Sequence, residues 1–446
     1  MINEEEKGLA REFLCACRRL GASDARVSLS KCTVDTISLV NGKVDKVLHS
    51  QDRSIFLHIF YDGRYGTFST NMLDSASVET FVHQAIDTVK MFAPDPFRKL
   101  PDVGICAFGE ALSGDEAGLY DKSYFDITPE DRMKKALSQS NFEGHSDLVS
   151  EELEYSDNID DNYLIDTNGF EGRHIETSFS VSCECTVKDG RGRKYSAYWW
   201  DASPFADNLK DGVAAEALSR ARLQKNPRKC SSGRRNMIVD ANVASRLVSP
   251  LISAFMASAI QQKSSFLDID SLGRKVFSER LTFIDRPREK GKPGTRFFDS
   301  EGVATKERVL IDKGVVNSCF VNTYMSGKMG LQPTVEGISR PFLQPFLGNN
   351  DINEVSLPDI LSECSQGILV TGFNGGNCNA STGNFSYGVE GFVFSDGKIG
   401  APVKEMVVTG NMISLWNNII AVGSDARDCS RWALPTLAFE NVDFSA

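Results

Sequence analysis

The chain has 446 residues, 41% of them hydrophobic and 24% charged, a globular composition with room for two or three domains that excludes a disordered or fibrous class. Sixty acidic against forty-nine basic residues leave a net charge of −11, which opposes approach to a phosphate backbone, so no direct binding of nucleic acid is expected. Eleven scattered cysteines, an odd count, argue against a disulfide framework.

The first residues, MINEEEKGLAREFLCACRRLG, lack the basic start and apolar stretch of a signal peptide, and their apolar positions recur at helical spacing over residues 4–20. Strands follow in RVSLSKCTV, TISLV and KVDKVLHS, with Asn41-Gly42 as a turn. SIFLHIFY and RYGTFST then form a hairpin around Asp62-Gly63. A helix over residues 75–91 completes an N-terminal α/β unit with a mixed sheet and two helices, assigned to residues 1–100. The proline-rich APDPFRKLPD closes it.

Residues 101–230 read as a middle region of helix plus antiparallel sheet. Thr128 caps a helix that starts at Pro129, and alternating runs separated by Asn168-Gly169 and Asp189-Gly190 lead to the aromatic YSAYWWDAS. Cys183 and Cys185 sit two apart on a strand and share a face, without the second pair that a zinc site needs. An alanine-rich helix is expected over residues 205–223.

Residues 231–446 read as a larger, mainly antiparallel, β-rich C-terminal part built around one long buried helix, residues 241–260, which Pro250 interrupts. Its most apolar segment, residues 247–260, is too short and too polar to span a bilayer, so no membrane contact and a cytoplasmic location are expected. The fold class is α+β. In TGFNGGNCNASTGNFSYGVEGF, residues 371–392, no lysine follows the glycines as a P-loop demands. The glycines there mark turns or places where another backbone lies close.

KSSFLDIDSLGRKVF, FFDSEGVATKERVLIDKGVVNSCFVNTYMSGKMGL and the long run from residue 383 to residue 425 closely resemble the PmbA/TldD family, called modulators of DNA gyrase and grouped with the metallopeptidases. In one branch of that family a helix carries HExxxH, two zinc histidines and a glutamate that activates water. A cysteine near the C-terminus is a further ligand. The matching hexad here is SPLISA: Ser249 and Ala254 stand at the histidine positions and Pro250 at the glutamate, within a degenerate zinc helix. The five histidines, His49, His58, His83, His145 and His174, all precede it. Cys429 lies near the family's cysteine ligand and reads as a relic.

The resemblance is therefore to the TldE/PmbA-like branch, which lacks the motif. It implies a non-catalytic subunit that holds no metal or cofactor of its own and pairs with a TldD-like subunit carrying zinc, the two together cutting unfolded or flexible peptides. Isolated, the chain would form homodimers. Asn374, Gly375, Gly376, Asn377 and Cys378 are the candidates for contact with peptide or partner. Two alternatives remain: an independent hydrolase with Cys378 as nucleophile, which would need a base that its neighbours do not offer, and a stand-alone peptide-binding protein.

Overall fold

Asn3 caps helix α1 (Glu4–Arg19) in a capping box with Glu6, and acidic residues fill the first turn where the helix dipole favours them. Strand β1 (Asp24–Val40) turns through Asn41 and Gly42, both with positive φ, into β2 (Lys43–Tyr61). The same device at Asp62 and Gly63 leads to β3 (Arg64–Thr70). Helix α2 (Ser75–Lys90) follows, capped by Asp74. A computed structural model gives these elements; it describes residues 1–446 except Leu73, Asp351 and Asn353.

After helix α3 (Pro129–Gln139), with its Thr128–Asp131 capping box, come β4 (Leu148–Asp166), β5 (Glu171–Lys188) and β6 (Lys194–Ser203). All six strands form one antiparallel sheet in the order β3-β2-β1-β4-β5-β6. The mixed pairing expected of the first hundred residues is therefore corrected: tight turns join neighbouring strands there, and β1 pairs with β4 across the proline-rich connection. The two strands read as RVSLSKCTV and TISLV are also one strand.

Alternation assigns the faces of this sheet. Val27 and Leu29 pack under α1 and α2 with Leu57 and Ile165, while Ile37 and Leu39 lie over a second cluster under α3 and α4 (Val213–Leu223). The helix expected over residues 205–223 starts only at Val213, because Gly212 takes a left-handed conformation at the N-cap. The opposite face carries Arg26, Ser28, His58, Asn162 and His174 and turns toward the C-terminal half.

That half opens with β7 (Gly233–Val239), whose last three residues, Met237, Ile238 and Val239, are apolar and buried on both faces, followed by α5 (Ser245–Ala254) and α6 (Ala257–Gln261). The single long helix expected over residues 241–260 is thus two. The break comes at Met256, whose extended backbone bridges to Phe320 through Phe320 N–H to Phe255 O and Ala257 N–H to Phe320 O. Pro250 stays inside α5.

A small sheet of β8 (Phe283–Asp285), β9 (Arg308–Asp312), β10 (Val315–Val316) and, past α7 (Thr323–Met329), β11 (Pro341–Leu343) lies next in the chain. Then come β12 (Phe346–Leu347), α8 (Leu357–Cys364), β13 (Gln366–Phe373), β14 (Asn377–Cys378), β15 (Asn384–Ser395), β16 (Lys398–Asn411), α9 (Met412–Asn417), β17 (Ile419–Val422) and β18 (Leu437–Ser445). Because β7 pairs with both β13 and β18, the path β7-β13-β15-β16-β18 closes into a barrel. The β7–β13 pair is parallel. Met237 and Val239 of β7 face the core that α5 enters, and Ile238 faces α8 on the other side. The fold class is α+β, as the alternating patterns imply.

Candidate functional site: the cleft beside the interrupted helix

Leu247, Val248, Leu251 and Ile252 bury one side of α5 in the barrel core, which leaves Arg246, Ser249, Pro250 and Ser253 on the other. These residues form one wall of a cleft of about 530 Å³. Phe373, Gly376, Asn377, Cys378 and Tyr387, from the glycine-rich run and β15, form the opposite wall.

The run lies close because it has no side chains in the way. A Cβ on Gly376 would stand 2.0 Å from Ser386 O, and one on Gly388 would stand 2.4 Å from Asn374 O. Gly376 also has φ +80, and Arg246 Nη2 donates to its carbonyl at 2.6 Å. The Arg246 guanidinium sits 4.8 Å from the Tyr387 ring centre. Burial, and then the neighbouring Cys378, push the Tyr387 hydroxyl up to about 12 against the pull of Arg246.

Several residues singled out in the sequence meet here: Ser249, Pro250, Gly376, Asn377 and Cys378 share the cleft. Gly375 O receives a longer bond from Arg246 at 3.4 Å but does not line the cleft. Asn374 is turned to Glu390, whose Oε2 accepts from its Nδ2 at 3.2 Å. Ala254 is buried in the core on the far side of α5. Arg246 and Tyr387 were not found from the sequence. Arg246 could have been, since it lies three residues before Ser249 and so on the same helical face.

Cys429 lies outside this cleft. It lines a smaller cavity of about 210 Å³ with Trp200, Asn242, Ser245 and Arg427, and Ser245 belongs to both cavities. Arg427 builds that wall: it donates to Asn242 Oδ1 at 2.7 Å, to Trp200 O at 2.6 Å and to Asp201 Oδ1 at 3.0 Å, and lies 4.3 Å from the Trp199 ring centre. Burial pushes the Cys429 thiol up, with Arg427 opposing. Part of the aromatic run YSAYWWDAS is thereby tied to the C-terminal half through this one guanidinium.

The donors do not fit zinc. Of the cleft's lining residues only Cys378 is of a type that ligates zinc, where three or four nitrogen, sulfur or carboxylate ligands are needed. Burial raises the Cys378 thiol, and among the described residues its Sγ hydrogen-bonds only to Asn379 O, at 3.8 Å, so no base or cation here generates a thiolate. Among the described residues, the ligand atoms that lie close enough to share an ion are those of Glu151, Cys183 and Cys185. They are buried under α4, and Glu151 already accepts from Ser140 Oγ and from Asn141 N–H.

Comparison with known proteins agrees with the architecture along the whole chain. Three domain profiles of the PmbA/TldA metallopeptidases match: domain 1 over residues 25–88, the central domain over 122–225 and the C-terminal domain over 232–446. The metalloprotease PmbA of Escherichia coli O157:H7 is 27% identical, over 91% of this chain and 88% of its own. A crystal structure from Bacteroides thetaiotaomicron, described as a candidate modulator of DNA gyrase, is 38% identical, with a TM-score of 0.93 and all of both chains covered. TldE from Thermococcus kodakarensis has the same fold, with a TM-score of 0.81 at 18% identity over 98% of this chain and 100% of its own. With three domain profiles of one family matched between residues 25 and 446, and a 38% identical structure covered end to end, the chain belongs to the PmbA/TldD family of metallopeptidases.

Proposed function

We propose that this chain is the zinc-free subunit of a two-chain peptidase, in which a TldD-like subunit with HExxxH supplies the metal and cuts unfolded or flexible peptides. One observation carries the reading: the helix face that lines the cleft presents Ser249, Pro250 and Ser253, two hydroxyls and a ring without an N–H, where hydrolysis needs imidazoles and a base. The subunit works in the cytoplasm, takes no cofactor itself and shapes the peptide path with Arg246 and the glycine-rich wall. Alone, it pairs with a second copy.

Support comes from the family membership and from relatives named as metalloprotease PmbA and as TldE. The cleft also disfavours the Cys378 hydrolase, because burial raises that thiol and, among the described residues, no histidine lines the cleft. Co-elution tests the assembly: the purified chain mixed with the HExxxH-bearing homologue of the same organism elutes as one complex on size exclusion. Separate elution of the two would refute it.

A further inference from the structure

A larger cavity, of about 680 Å³, lies between the uncovered face of the six-stranded sheet and the C-terminal half. Its floor is the alternating polar set Ser28, Asn162, His174 and Ser178; its roof is the segment from Pro293 to Ser300 with Cys429, Ser430 and Arg431. It adjoins the cleft described above by a chain of shared walls. Cys429 and Ser430 line both this cavity and the small one beside it, and Ser245 joins that one to the α5 cleft.

Two cations in this cavity make no direct ion pair, although Arg296 acts on Glu176 and Asp285, and Asp285 on Arg431, at longer range. Among the described residues neither Arg296 nor Arg431 is within 4.0 Å of a carboxylate, whereas the neighbouring Arg288 holds Glu110 and Arg340 holds Glu289 and Asp428. Their proximity is built in. A Cβ on Gly294 would stand 2.7 Å from Arg431 Cβ and 2.8 Å from Ser339 O, so the loop bearing Arg296 packs directly on the backbone at Arg431. Burial first, and then repulsion from Arg296, pull the Arg431 guanidinium below its ordinary value. A third guanidinium, Arg26, lies on the floor face at 4% exposure. Its Nη1 donates to Ser300 O at 3.3 Å, while its Nε and Nη2 have no hydrogen-bond partner among the described residues.

Like charges held together without a directly bonded anion are costly, and a negative group that bonds them relieves the cost. Glu176, Asp299 and Glu336 also line the cavity, so its field is mixed. A dianion would meet three acidic groups, whereas a monoanionic carboxylate that trails amide N–H groups satisfies both signs. Phe56, Leu164 and Phe298 add an apolar wall for a side chain next to that carboxylate. We propose that this cavity binds the free C-terminal end of a short peptide, with Arg296 and Arg431 gripping its α-carboxylate. The choice of a peptide as the carboxylate's bearer rests on the peptide-handling function proposed above.

The test uses the isolated full-length chain, so its outcome is independent of whether a two-chain peptidase forms. Isothermal titration calorimetry compares N-acetyl-Ala-Ala-Ala-Phe as the free acid, the same peptide as its C-terminal amide, and inorganic phosphate, at fixed ionic strength. The acid is expected to bind about tenfold or more tightly than the amide, the worth of a charge-assisted contact, and more tightly than phosphate. Arg296→Met and, at the exposed mouth, Arg431→Met each remove that preference in protein whose thermal melt is unchanged. Equal binding of acid and amide, no binding of either peptide, tighter binding of phosphate, or an undiminished preference in folded Arg431→Met protein would each overturn the proposal.

Discussion

Arg246 stands over the Tyr387 ring at 4.8 Å and bonds the Gly376 carbonyl at 2.6 Å, so one side chain of α5 fastens the glycine-rich wall of the cleft. Arg246→Met keeps the aliphatic stem and loses both contacts. Thermal unfolding is expected to show a loss of about 1 kcal/mol, since the side chain is solvent-exposed.

The close approach of Gly376 makes a sharper prediction. Gly376→Ala places a methyl 2.0 Å from Ser386 O at a φ of +80, so it is expected to cost about 2 kcal/mol or more. Gly337→Ala, which meets nothing within 4 Å, is the matched control and is expected to stay within about 0.5 kcal/mol of the parent in chemical denaturation.

Arg427 binds the sheet to the region ahead of α5. Removing it leaves the Asp201 carboxylate, 4% exposed, without its cation, and frees Trp199, which also stacks on Arg220 at 3.8 Å. Arg427→Ala is expected to destabilise by about 3 kcal/mol. Double-mutant cycles with Asp201→Asn should show strong coupling, and additive losses would contradict the assigned contact.

Asp299 supplies a pH dependence. Burial, and then Glu336 and Glu301, push its carboxyl up to about 7, against the N–H groups of Glu336 and Val303 that bond it. An unfolded aspartate titrates at about 3.9, so between that value and about 7 the folded chain keeps a proton that the unfolded chain has released. The resulting stability is full below about 4 and is lost as pH rises to about 7. Asp299→Asn lacks this loss. The melting-temperature advantage of the parent over the variant should shrink from pH 5 to pH 7.5, and a constant difference would contradict the assignment.

Much of this structure is legible in residue order, where local chemistry decides. Asn3, Asp74 and Thr128 cap the helices as their types predict, and Asn41-Gly42 and Asp62-Gly63 make the turns. The two-helix break at Met256 is not legible, because its cause is Phe320, more than sixty residues away. Nor does composition reveal that β1 and β4 join across the proline-rich connection, since strand pairing over such a distance leaves no local trace. Half of the α5 cleft could be read, through Ser249, Pro250 and the glycines. Arg246 is readable from its helical spacing to Ser249, and Tyr387 completes the cleft only in three dimensions. The larger cavity draws on segments from Ser28 to Arg431, scattered so widely in residue order that nothing local marks them as one site.

Zinc content and peptidase activity, measured on the isolated chain, on its HExxxH-bearing homologue and on their mixture, test the central claim most directly. Far less than one zinc per chain and no peptidase activity are expected for this chain alone. In the mixture, zinc on the partner and peptide cleavage that a chelator abolishes are expected. Full zinc occupancy together with cleavage by the isolated chain would contradict a zinc-free, non-cutting subunit.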